Sequence, residues 1–501
     1  MESIFLCYDL KGIQSYIFAV PRLKFICGGS AIVDRFDKEK VAKAETAVSG
    51  AKLLFAGGGK GAFLCDSNAA ANALKHYLVQ LAHTDGLNIC FGLDSDYSEA
   101  AHYAAESYPW LPESTELDGH PCSESGLYPA QGGGVNEKVK LRREKSLVRR
   151  FEDMLLADLA LPPYFGEKAN WQFMRDVEGD ASKALGSRNR WAVITMDGND
   201  MGSQYQAASS HFKTDITGLS DWIAKMSKAL DACSRGACQA AIERVLKEWG
   251  GSEDGGAYLG KAKGGPVHLP IRPLVVGGDD IIVLCHVSYA RTFVKEAARV
   301  FAEQSASMAE KMASDTFALW PATNGVLSIT AGILFAPVSL PLASAIPYAE
   351  MLMANAKGHG REREEAPSPA CVDWESVTEG VIDTPAARRH RELIFKDGDT
   401  GARIELTQRP YTLEDFKGVE ELMKKYEKEK IPASIRHQVL PGMRAGKADR
   451  QVFLARLGKN QEDLVDDLRE LDDKASTHVI DALLLMEEDV RMSRTTVEED
   501  V

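Results

Sequence analysis

The chain has 501 residues, 45% hydrophobic and 26% charged, with a formal net charge of -14; this length predicts two or three domains rather than one core. The acidic balance excludes broad, nonspecific wrapping of nucleic acid, but leaves room for a local basic groove or a site that meets nucleotides through metal ions. There is no run of about 18 apolar residues to span a membrane, the opening MESIFLCYDLKGIQSY has no basic leader or small-residue cleavage site, and nine cysteines without disulfide-like spacing suit a cytoplasmic, reducing environment.

In chain order, ESIFLCYDL predicts a strand and KGIQSYIFAVPRL the start of a helix. Gly28-Gly29-Ser30 interrupts, AIVDRFDKEKVAKAE continues helical, AKLLFAGGGKGAFLC predicts a hairpin, NAAANALKHYLVQLA a helix and LNICFGL a strand. Residues 103–190 carry proline- and glycine-bearing stretches and then the basic run KVKLRREKSLVRR, which suggests a connector with some helix. Strand–helix alternation then returns: WAVITMD, the helix DWIAKMSKALDACSRGACQAAIERVLKEW, the hairpin PLVVGGDDIIVLC, the helix VSYARTFVKEAARVFAEQSASMAEKM, the strand GVLSITAGILFA and the helix LASAIPYAEMLMANAK. That order matches the first hundred residues, an internal repeat of architecture though not of sequence. After about residue 410 strand signals vanish and leucine-bearing helical periodicity runs almost to the acidic tail RTTVEEDV.

The chemistry concentrates at RPLVVGGDDIIVLC. Gly277 and Gly278 suit a tight turn, but an ordinary turn does not need adjacent carboxylates, whose repulsion is destabilising without a cation. Asp197 ends a second apolar strand, and a βαβ-type sheet brings distant strand ends together. Asp197, Asp279 and Asp280 are therefore candidate catalytic residues and oxygen ligands for two Mg²⁺ or Mn²⁺ ions. The loop Gly198-Asn199-Asp200-Met201-Gly202 offers backbone amides to phosphate at a predicted helix start; Asp200 is read as the cap of that helix, with a third-ligand role as the alternative. Lys357, in YAEMLMANAKG, either complements a helix dipole or binds phosphate. Cys233 and Cys238 read as core positions, and His286 as a packed strand end.

The strand aspartate, the GGDD hairpin, the strand ending SITAGI and the helix ending NAK together resemble the Palm/GGDEF nucleotidyl cyclase superfamily. DLKGIQSYIFAVPRLKFICGGSAIVD, FAGGGKGAFLC and RPYTLEDF extend the resemblance, over most of the chain, to the large Palm-domain subunit of type III CRISPR effector complexes. It implies an α+β fold with two ferredoxin-like Palm domains and a C-terminal helical domain: a first Palm at 1–102, a connector at 103–190, a second Palm at 191–408 and a helical bundle at 409–501. It further implies synthesis of a cyclic oligoadenylate from ATP, with Asp197, Asp279 and Asp280 on metal and Lys357 and the Gly198–Gly202 loop on phosphate. Gly277 and Gly278 belong to the same nucleotide site, and Gly28, Gly29 and Ser30 would touch a second nucleotide, a plain helix break being the other reading. The first hairpin, Gly57-Gly58-Gly59-Lys60, lacks carboxylates, so metal is expected only in the second Palm. Palm sequence begins almost at Met1, so the N-terminal HD nuclease domain of many members is expected to be missing. Cys122 stands where a zinc module would place paired cysteines, and Ser125 where the second thiol should be, so no zinc is expected. Expected partners are ATP or another NTP, with guide or target RNA and type III CRISPR subunits, or a free-standing oligomer, and no membrane. The alternative from another class is a non-catalytic nucleotide-binding scaffold.

Overall fold

The computed structural model describes residues 3–20, 23–109, 137–145, 159, 171–174, 190–213, 215–252, 267–312, 317–378, 383–398, 401–458, 461–474 and 477–489. Four apolar runs build the first sheet: β1 (Ile4–Lys11), β2 (Ala51–Gly57), β3 (Lys60–Cys65) and β4 (Asn88–Asp94), with β2 and β3 joined by a glycine turn, in the order β2-β3-β1-β4 with every pairing antiparallel. Helices α1 (Ile13–Phe18) and α2 (Leu23–Arg35) link β1 to β2, and α3 (Asn68–Asp85) links β3 to β4. Ser67 starts α3 by accepting the Ala70 amide, and Gly86, at a left-handed φ of 73°, ends it. This is the βαββαβ order of a ferredoxin-like unit. Helix α4 (Tyr97–Glu106) follows β4, its start capped by Asp96, and α5 (Glu137–Lys145) packs on α2.

The second unit repeats the plan. After β5 (Arg190–Gly198) come α6 (Met201–Phe212) and the long α7 (Ile216–Gly251), then the hairpin β6 (Ile271–Gly277) and β7 (Asp280–His286), α8 (Ala290–Lys311), β8 (Ile329–Pro337) and α9 (Leu342–Arg361). The sheet continues through β9 (Cys371–Ser376), parallel to β8, and the two-residue β10 (Tyr411–Thr412), giving the order β10-β9-β8-β5-β7-β6. Its β8-β5-β7-β6 portion has the same strand connectivity as the first sheet.

Alternation along the central strands sorts the core. Ala192, Ile194, Met196, Ile281 and Val283 pack with α7 and α8, while Trp191, Val193, Ile282 and Leu284 pack with α9 and with the first unit's apolar face. That second cluster is continuous from Leu6 and Tyr8 of β1 to Ala345 and Leu352 of α9. Cross-unit polar contacts reinforce it: Ser30 Oγ donates to the Leu274 carbonyl at 2.7 Å, and Arg235 pairs with Asp34 at 3.5 Å. The Leu274 carbonyl sits at an irregularity in the β6–β7 register, between Pro273 and Val275.

Helix α10 (Pro385–Glu392) belongs to the second unit, its Arg389 paired with Asp373 of β9 at 2.6 Å, and α11 (Phe416–Lys428), α12 (Ala433–Arg444), α13 (Lys447–Leu457), α14 (Glu462–Lys474) and α15 (Val479–Glu488) make up the helical end. Buried Asp481 fastens it to the second sheet, accepting from Thr407 Oγ1, the Gln408 amide and Tyr411 Oη and pairing with Arg409 at 2.9 Å. The structure thus departs from the expected end of strand signals near residue 410, because a two-residue edge strand is too short to leave a period. It also departs from the reading of Gly28-Gly29-Ser30 as a helix break, since α2 runs through it. The expected zinc-module remnant around Cys122 and the tail RTTVEEDV lie outside the described residues.

Candidate functional site

The pairing Met196↔Ile281 continues to set Asp197 of β5 beside Asp280, the first residue of β7. The β6–β7 turn is closed by Gly277↔Asp280, leaving Gly278 and Asp279 as its two central residues. Only Gly278 takes a positive φ, 60°, so a glycine is needed there and an aspartate is accepted next to it. Gly198 lets the two strand ends close: a Cβ on it would lie 2.9 Å from the Asp279 Cβ. From the neighbouring helix, Ser234 Oγ donates to the Gly278 carbonyl at 2.6 Å and steadies the turn.

Three carboxyl groups therefore gather at adjacent strand ends. Burial, then the charges of Asp197 and Asp280 and a hydrogen bond with Asp197, hold the Asp279 carboxyl well above the usual carboxylate range. Asp280 lies at the solvent-facing rim, yet surrounding protein desolvates its carboxyl. That crowding and the Asp197 charge push its pKa up to about 6, against the pull of Lys357 and Lys60. Lys357 of α9 reaches in from the side. Its ammonium donates to Asp197 Oδ2 and, at 2.7 Å, to the Gly198 carbonyl. Asp197 and Lys357 meet because both belong to the α9 side of the sheet.

The donor set suits a hard divalent cation: all ligand atoms are carboxylate oxygens, and their mutual repulsion is what such an ion relieves. Among the described residues, however, no group of three or more His, Cys, Asp or Glu is already arranged as a metal cage. Lys357 instead neutralises one member of the trio.

The other expected nucleotide contacts separate into open and committed residues. Gly202 and Gly278 face open space, where an added Cβ would meet no atom within 4 Å, and Gly277 meets only Asp231 at 3.9 Å. Met201 begins α6. Asn199 is committed: its amide donates to the Ser328 carbonyl, and its side chain donates to Ser328 Oγ, Thr330 Oγ1 and the Pro369 carbonyl. Its amide is thus not an open phosphate donor, contrary to the sequence reading. Asp200 corrects another expectation. It stands at the N-cap position with φ 62° but makes no side-chain cap bond; its carboxylate accepts from the Ser368 amide and hydroxyl, both at 2.8 Å. Left-handed backbone turns the side chain away from the helix start, and the 368 loop takes it.

Gly28 and Gly29 lie within α2, and a Cβ on Gly28 would fall 1.9 Å from the Arg142 carbonyl oxygen. Close helix packing is what these positions do in the fold. Cys233 and Cys238 are fully buried, and His286 Nδ1 accepts the Ser288 amide.

Sequence reasoning missed what the first unit and α9 bring to the carboxylates. Lys60, at the first hairpin, is close enough for its charge to act on Asp280. Glu350 lies two helical turns before Lys357 on the same face of α9. Burial and the Asp280 charge push its pKa up to about 7, and Gln14 Nε2 donates to it from the first unit. Tyr205 of α6 has its hydroxyl pKa raised by burial and then by the charge of Asp279. The seven-residue spacing from Glu350 to Lys357 was the available signal; nothing local marks Tyr205. A cavity of about 350 Å³ bounded by Arg291, Lys295, Glu420 and Lys424 lies away from this site.

A family model described as "Cas10/Cmr2, second palm domain" matches residues 190–365. No curated protein matches the chain. Similar solved structures include the Csm1-Csm4 cassette in complex with cA4 (TM-score 0.54, 13% identity, 98% of this chain and 70% of that one). The same cassette in complex with AMPPNP gives a TM-score of 0.54 at 12% identity, with 98% and 70% covered. The Csm1-Csm4 subcomplex in the type III-A CRISPR-Csm interference complex gives 0.53 at 13% identity, with 97% and 70% covered. At these identities the likeness is one of fold.

Proposed function

We propose, from the match of residues 190–365 to the Cas10/Cmr2 second palm domain model and the likeness of fold to the Csm1-Csm4 structures, that the protein is a metal-dependent nucleotidyltransferase. It joins ATP, or another nucleoside triphosphate, into a cyclic oligonucleotide second messenger in CRISPR-type antiviral defence. One observation carries the reading: the convergence of Asp197, Asp279 and Asp280 at adjacent strand ends beside the Lys357 ammonium.

In the proposed reaction the 3′-hydroxyl of one nucleotide attacks the α-phosphate of the other. An oxygen–phosphorus bond forms, the bond to the β-phosphate's bridging oxygen breaks, and pyrophosphate leaves. Asp197, Asp279 and Asp280 would hold Mg²⁺ or Mn²⁺, which when bound supplies acidification of the hydroxyl and neutralisation of phosphate charge. Lys357 exchanges its carboxylate partner for a phosphate oxygen, and keeps the Gly198 carbonyl as a fixed point for its stem. Gly202 and Gly278 leave room for the nucleotide against the backbone. Type III CRISPR subunits and RNA are the proposed partners.

The test is incubation of the full chain with labelled ATP and Mg²⁺ or Mn²⁺, with and without RNA. Oligonucleotide product and pyrophosphate are expected, falling roughly 100-fold or more in Asp279→Ala/Asp280→Ala. A second reading, a non-catalytic nucleotide-binding scaffold, is favoured by the Lys357–Asp197 pair, which neutralises one carboxylate without a metal. Tight ATP binding without any product would select it.

A further inference from the structure

The two hairpins occupy matching places in the two units, and their register aligns them residue for residue. In the first, Gly57 pairs with Lys60, and Gly58 and Gly59 are the central residues, with φ of 63° and 80°. In the second, Gly277 pairs with Asp280, and Gly278 and Asp279 are central. Lys60 therefore holds the position in the first unit that Asp280 holds in the second: an ammonium replaces a carboxylate at the first residue of the strand leaving the turn.

The lysine is presented, not merely present. Asp37, only 2% exposed, accepts the Gly59 amide at 2.7 Å and Tyr8 Oη at 2.8 Å, so the base of the hairpin is anchored in the first core. Beyond that anchor the turn is open on the Gly57–Gly58 side, where a Cβ would meet nothing within 4 Å, and packed on the Gly59 side, where one would lie 2.0 Å from Ile13 Cδ1. Lys60 is exposed and, among the described residues, makes no hydrogen bond or ion pair. The turn leans on Ile13, whose neighbour Gln14 donates to Glu350 of α9, two helical turns before Lys357, so the hairpin stands at the seam on the side of α9 that serves the carboxylates. The seam between the units is held by other groups, Ser30 on Leu274, Gln14 on Glu350 and Arg235 on Asp34, so Lys60 is not needed as a clamp.

We propose that Lys60 is a positioning residue that binds a phosphate oxygen of a nucleoside triphosphate held at the second unit's carboxylates, so that the first hairpin forms the cationic wall of a site completed by both units. The inference rests on the nucleotidyltransferase reading, and it concerns the phosphates, not the base or ribose. An exposed ammonium without a hydrogen-bond or ion-pair partner gains one when the phosphates of a bound nucleotide come within its reach.

The experiment measures binding of AMPPNP and of adenosine to the full chain in Mg²⁺ by calorimetry, for wild type, Lys60→Gln and Lys60→Arg. Loss of one charge-assisted contact predicts AMPPNP binding weakened roughly 10- to 100-fold in Lys60→Gln, adenosine binding changed by less than about twofold, and most of the AMPPNP affinity kept in Lys60→Arg. AMPPNP binding by Lys60→Gln equal to wild type, or equal losses for AMPPNP and adenosine, overturns the inference alone. A wild-type chain that binds neither ligand overturns the nucleotidyltransferase reading and this inference with it.

Discussion

Glu350 shows how much of a site's chemistry is set by neighbours the sequence does not adjoin. Its carboxyl, with an ordinary value of 4.5, is pushed up to about 7 by burial and then by Asp280. The native state therefore binds a proton on Glu350 that the unfolded chain has already released, between pH values of about 4.5 and 7. Stability contributed by this group is present at the lower pH and lost as pH rises through 7. Glu350→Gln keeps an acceptor for Gln14 and removes the titration. Urea midpoints taken from pH 5 to 8 are expected to fall less steeply in the variant; parallel curves would assign the slope to other groups. At this scale, the meeting of Asp197, Asp279 and Asp280 was legible because acids at apolar strand ends stand out, whereas Lys357 has the ordinary explanation of a lysine late in a helix and drew notice only beside those acids. Asp200 misled because a residue before a helix is ordinarily its cap, and only the fold reveals Ser368 waiting for it. Glu350 and Lys60 stayed unread because a lone glutamate on a helix and a lysine in a turn have ordinary explanations.

At the scale of elements, glycine marks where strands and helices approach most closely. In SITAGI, a Cβ on Gly332 of β8 would lie 2.2 Å from the Ala349 carbonyl oxygen of α9, and in CFGLD one on Gly92 of β4 would lie 1.9 Å from that of Ala100 in α4. Both glycines sit in the fourth strand of their unit, against the helix that follows. The same architectural position calls for a residue without a side chain in both units. Gly332→Ala forces α9 outward, and α9 carries Glu350 and Lys357. A loss of about 1–3 kcal/mol in urea unfolding is expected, together with weaker nucleotide binding; an unchanged midpoint would mean that the helix shifts freely. The hairpins and the long helices were readable from period and turn chemistry. The path of α2 through Gly28 and Gly29 was not, because paired glycines signal a break locally, whereas in the fold α5 packs against Gly28 and α1 against Gly29.

At the scale of the molecule, the repeated strand order was visible in the alternation of elements, but the arrangement of the two units was not. Ser30, Gln14 and Asp34 join the units through ordinary polar side chains with no periodic signature. The attachment of the helical end is similar. The segment RPYTLEDF was legible as a junction, yet its partner Asp481 lies 72 residues beyond Arg409 in the numbering. Arg409 is 8% exposed and Asp481 fully buried. Asp481→Ala would leave a guanidinium short of a counter-charge in the core and three donors without their acceptor, an expected cost of about 3–5 kcal/mol in the unfolding midpoint. A change under about 1 kcal/mol would show that Glu375, the other acid beside Arg409, suffices. The proposed site brings acids from β5 and the β6–β7 hairpin of the second sheet to one nucleotide, and the most direct test is turnover itself. Labelled ATP with Mg²⁺ or Mn²⁺ should yield oligonucleotide and pyrophosphate with the wild-type chain and next to none with Asp279→Ala/Asp280→Ala. Product formed equally by both proteins, or by neither under any metal and RNA condition, would contradict it.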